Sequence, residues 1–182
     1  VLERDIKAMK GIACEVGILL ADVGISTDQF REQTGFRSSR TNAPIDAAEI
    51  DAALAYLSVP REMLDTRLGH RARFPAQVEL LEQQVTRIFD NSPCIQEIWR
   101  SVDGCDRSVV LYIQTFEMDD VERIAHILRE DREYLKVSAP DSPVRLVSCT
   151  VASRANGHFY DGLIVWTGEH TKRIAARPLA PA

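Results

Sequence analysis

The order of elements readable between Pro75 and Trp166 constrains this chain more than any other feature. Pro75 suits the first position of a helix, and Val78, Leu81, Val85, Ile88 and Phe89 then recur at helical spacing until Asn91, Ser92 and Pro93 stop it. Two strands follow, 95–102 and 108–116, on either side of Asp103 and Gly104, a dipeptide that favours a reversing turn. Asp119 or Asp120 caps a second helix, 119–134, whose apolar positions include Val121, Ile124, Ala125 and Leu128. After a proline-bounded loop, residues 144–152 and 159–166 flank the turn dipeptide Asn156-Gly157 and read as a second hairpin.

The strands differ in how apolar they are, and that difference predicts their order. Residues 109–113 and 163–166 are apolar at consecutive positions, so both of their faces need cover, whereas 95–102 and 144–152 interleave polar residues and read as edges. Setting the two apolar strands side by side, with helix 119–134 as a right-handed crossover, gives a four-stranded sheet with a central parallel pair and both helices on one face. The predicted class is therefore α+β: a helical N-terminal part followed by a two-layer α/β sandwich of order α-β-β-α-β-β, a ferredoxin-like order entered one strand late. The other face of that sheet then needs the N-terminal helices or a second copy of the chain to cover it.

Upstream, Ile6, Met9, Ala13, Val16, Leu20 and Val23 alternate spacings of three and four, which predicts an amphipathic helix over 2–23 ended by Gly24. Ser26 caps a short helix closed by Gly35, with Gln29 as its capping-box partner. A helix pair of this kind also suits a DNA reader, but Asp28, Phe30, Arg31 and Glu32 give a nearly neutral surface. Residues 37–44 are polar and without period, and read as a loop carrying Arg37 and Arg40. Helices are expected over 45–57 and from Pro60 to Gly69. The predicted organisation is a helical region over 1–74, the sandwich over 75–168, and a mobile tail over 169–182 without a role.

Composition excludes more than it selects. The 182-residue chain is acidic, with a formal charge of -5, so it lacks the dense basic face that a general affinity for nucleic acid requires. Its longest early apolar run, 17–21, is far short of a membrane span, and no secretory leader is legible, so a cytoplasmic protein with no membrane partner is expected. Four cysteines stand without a C-x-x-C pair, and Cys94 and Cys105 fall at opposite ends of one strand. His158, Tyr160, Asp161, Glu169 and His170 gather near the second hairpin but match no ligand spacing, and the acidic run Glu117, Asp119, Asp120, Glu122 is what a helix N-terminus favours electrostatically. No phosphate loop, dinucleotide fingerprint or nucleophile elbow occurs, so neither cofactor nor metal is expected, and catalysis is left open.

Two readings remain. The first is a non-catalytic interaction or regulatory protein that forms a dimer, or binds a protein partner, through an apolar sheet or helix surface. The alternative is a small-molecule-binding protein or enzyme with a pocket between the N-terminal helices and the sheet, walled by Arg37, Arg40, Trp99, Tyr112 and Tyr160.

Overall fold

A computed structural model describes residues 2–36, 45–139, 142–153 and 171–178, with burial and contacts from Lys7 onward. The chain is α+β: helices at the N-terminus, then a mixed four-stranded sheet on which helices pack. Its contacts gather into two compact units, Val1–Ala72 and Arg73–Ala182.

The first unit opens with α1, Leu2–Val23, which ends where Gly24 takes a left-handed φ of 70° that a side chain would resist. Ser26 then caps α2, Thr27–Thr34, accepting from the Gln29 backbone N–H, and Gly35 closes it in the same left-handed region. Helix α3, Ala47–Leu57, starts from a full capping box in which Asp46 and Glu49 exchange hydrogen bonds. Ala13, Val16, Leu20, Phe30, Phe36 and Ala53 make one apolar cluster, with Phe30 packed edge-on against Tyr56. Residues 37–44 lie outside the described residues.

Helix α4 corrects the expected pair of helices, since it runs without a break over Arg61–Asn91 through both Gly69 and Pro75. Gly69 does not adopt a positive φ, and Pro75 costs the helix one backbone hydrogen bond while its fixed φ remains helical. The helix serves two cores: Leu64 and Leu68 join the first unit, whereas Phe74, Val78, Leu81, Val85, Ile88 and Phe89 join the second.

The second unit has the strands β1, Ile95–Asp103; β2, Ser108–Thr115; β3, Leu146–Ser153; and β4, Thr171–Ala176. Between β2 and β3 come α5, Asp119–Glu130, and α6, Arg132–Val137. The expected single helix over 119–134 is divided because Asp131 leaves the helical region and caps α6, its side chain accepting from the Tyr134 N–H. At the start of α5 the capping position is Met118 rather than an aspartate, so the acidic residues stand inside the first turn.

The expected element order holds, but the neighbours of the strands differ. The sheet runs β3-β2-β1-β4, with β2 and β3 parallel and β1 antiparallel to both β2 and β4. Residues 163–166, and with them the expected pairing with 109–113, lie outside the described residues; among the described strands β2 lies between β1 and β3. The polar residues of β1 do not mark an edge either: Arg100 is paired with Glu82 of α4 and Glu97 with Arg173 of β4, which lets a polar strand sit in the interior of the sheet. The expected tail is corrected as well, because Thr171–Ala176 completes the sheet as β4.

One face of the sheet carries Ile98, Val109, Leu111 and Ile113 against α4, α5 and α6, all within a single buried cluster with Ile124, Leu128, Tyr134 and Val144. Gln77 of α4 reinforces this layer by donating to the Val137 carbonyl at 3.1 Å. Strand β2 is also buried on its second face, where Tyr112 and Gln114 are 8% and 7% exposed, as its unbroken apolar run predicts.

Candidate interaction site: the β3 edge and its apolar cleft

Among the described residues the sheet has two outer strands, and their sequences treat the exposed backbone differently. An outer strand presents unpaired N–H and C=O groups that can template another chain, and charges or bulges are the usual means of preventing it. Strand β4 has both: Lys172 and Arg173 stand on it, and its register with β1 shifts between Ile98 and Trp99. Strand β3, Leu-Val-Ser-Cys-Thr-Val-Ala-Ser, has neither charge nor proline, and pairs with β2 in unbroken register over all eight residues. Leu146, Ser148 and Cys149 are exposed along it.

Beside this strand, on the helix side, lies an apolar cleft of about 270 Å³ lined by Ala125, Leu128 and Arg129 of α5, Tyr134 and Leu135 of α6, and Cys149 and Val151. The helical break at Asp131 separates the cleft's α5 and α6 walls, and Arg87 holds that break with two hydrogen bonds to the Asp131 carboxylate at 2.8 and 2.7 Å. Leu135, at 46% exposure, extends the apolar surface out of the cleft, while Leu146, at 53%, stands on the other face of the same strand by alternation. Desolvation raises the Tyr134 hydroxyl well above its ordinary pKa and pushes the Cys149 thiol up to about 12. Cys149 is an exposed residue of the strand, while its side chain lines this apolar wall, so the sulfur stays a thiol at neutral pH.

The two ends of β3 carry unlike charge. At its start Arg107 donates to the Pro143 carbonyl at 2.7 Å, and Arg145 pairs with Asp106 at 2.6 Å. At its far end Ser153 touches Met118, from which α5 begins with Asp119, Asp120 and Glu122.

The wall residues expected from sequence are divided. Trp99 and Tyr112 come together as direct cross-strand partners of β1 and β2, on the sheet face away from α4 and α5. Arg173 of β4 stands over the indole at 5.5 Å, and burial raises the Tyr112 hydroxyl pKa. Arg37, Arg40 and Tyr160 lie outside the described residues, as do His158, Asp161, Glu169 and His170. Among the described residues no His, Cys, Asp and Glu group could hold a metal ion. Cys94 is a free thiol raised by burial and by the charge of Asp120, and His126 is exposed on α5.

Sequence reasoning missed the charged strut on the helix face, where Glu82 of α4 binds Arg100 of β1 and Lys172 of β4. It borders an open groove lined by Glu79, Thr86, Arg87 and Asp90 as well. The strut joins three separate elements, and no local pattern announces that. No helix of the described residues is long and apolar enough to cross a membrane. No protein-family model matches the chain, and neither a curated protein nor a solved structure is significantly similar to it.

Proposed function

We propose that this is an interaction protein that self-associates along β3, two copies joining antiparallel, edge to edge, with Leu135 and Leu146 buried around the join. The observation that carries this reading is the asymmetry of one sheet: β4 has lysine, arginine and a bulge on its edge, and β3 is free of all three. A twofold pairing of β3 brings no like charges together along the strand. An antiparallel join of identical strands is also the closed twofold arrangement that a dimer needs. The cleft under Tyr134 and Val151 gives the partner's apolar side chains a place to dock.

Light scattering at micromolar concentration tests it. The wild-type particle is expected at twice the 20.4 kDa chain mass, and Ser148→Lys, a charge at an exposed edge position, is expected to be monomeric with an unchanged circular dichroism spectrum. A monomeric wild type, or a Ser148→Lys dimer, would overturn the proposal. The small-molecule reading draws on a different place, the Trp99–Tyr112 pair and the unpartnered polar atoms beside it.

A further inference from the structure

On the sheet face opposite α4, α5 and α6, β1 and β4 place Trp99 opposite Arg173 and Ser101 opposite Thr171, so the four side chains form one patch, with Tyr112 beside Trp99 on β2. Two polar atoms in it, Trp99 Nε1 and Thr171 Oγ1, are buried and have no hydrogen-bond partner. An unmet buried donor is costly, and two within one diagonal pair of positions mark a place where an acceptor belongs. The indole N–H can only donate, which fixes the sign of what it would meet. Arg173 supplies charge at the same spot: its guanidinium lies over the indole, its side chain is 57% exposed, and its ion pair with Glu97 is loose at 3.9 Å.

We infer that this patch binds a small aromatic carboxylate. One carboxylate oxygen accepts from the Trp99 N–H and the Thr171 hydroxyl, the other takes the Arg173 guanidinium as it turns from the ring, and the ligand's own ring packs on Tyr112. Glu97, at the margin of the patch, sets the charge limit: a monoanion is tolerated there and a phosphate dianion is repelled. The site lies on β1 and β4 rather than β3, so it stands or falls apart from self-association.

Benzoate is the probe, with benzyl alcohol and inorganic phosphate as its comparisons, read by tryptophan fluorescence and by thermal shift of the full chain. Benzoate is expected to raise the melting temperature in a saturable way, and neither comparison compound to do so. Trp99→Phe, which keeps a ring and loses the donor, and Thr171→Val, which keeps the shape, are each expected to weaken benzoate by on the order of tenfold, the effect of one hydrogen bond to a charged group. Trp166→Phe assigns the fluorescence change to Trp99. No saturable shift with benzoate, equal binding by both variants, or phosphate binding as well as benzoate would each overturn the inference.

Discussion

Glu82 holds three elements at once: its carboxylate accepts from Arg100 of β1 and, at 3.0 Å, from Lys172 of β4, while its own backbone belongs to α4. Burial alone would raise its pKa; the two hydrogen bonds and the charges behind them outweigh that and hold the carboxyl below its ordinary value. A carboxyl with a lowered native pKa stabilises the fold fully above the ordinary carboxylate range, and that contribution is lost as pH falls through the lowered value. Glu82→Gln is therefore expected to be less stable at neutral pH and to lose less stability on acidification, read from urea midpoints across an acid series. An acid limb as steep as that of the wild type would show the strut to be irrelevant. Residues of this type are poorly legible in sequence, because a charged side chain names no partner: Glu82 and Lys172 are 90 positions apart. The Trp99–Tyr112 pair is the contrast, since a hairpin about Asp103 and Gly104 fixes which residues oppose each other.

At the scale of elements, what was legible was local. The ends of α1 and α2, the first hairpin and the capping residue Ser26 follow from side chains within a few positions of one another. The continuity of α4 was not legible, because Pro75 and Gly69 signal breaks that packing in two cores overrides. Strand β4 was missed because Thr171–Ala176 is short and half polar, and what makes it a strand lies in the rest of the unit. Arg177, just beyond it, is the clearest such contact. Its guanidinium covers the Phe89 ring at 3.8 Å and donates to the carbonyls of Phe89, Ser92 and Ile95. Helix α4 has no basic residue in its last turn, so a side chain 88 positions away from Phe89 supplies the positive charge its C-terminus favours. Arg177→Gln is expected to cost about 2 kcal/mol, the scale of hydrogen bonds from a charged donor, measured by denaturant unfolding. Arg177→Lys should recover only part of it, because a single ammonium cannot reproduce the forked guanidinium.

For the whole molecule, the division into two compact units makes the buried pair of Glu15 and Arg71 a probe of how independently each holds together. Glu15 is fully buried on α1 and meets Arg71 of α4 at 2.7 Å, and Gly11 leaves room for that arginine, since a Cβ there would lie 3.1 Å from its side chain. Removing the carboxylate breaks a buried ion pair, so Glu15→Ala is expected to cost the first unit about 3–5 kcal/mol, whereas Glu15→Leu with Arg71→Met should recover much of the loss by replacing the pair with apolar contact. The second unit has its own core of strands and helices, with Leu81, Ile98, Leu111 and Ile113 nearly inaccessible. Hydrogen exchange on Glu15→Ala should therefore speed in α1 and α3 while the amides of β1 and β2 keep most of their protection, because local openings report the stability of the unit that opens. Equal acceleration in both would mean that α4, running unbroken through Pro75, transmits the loss and that the chain unfolds as one body.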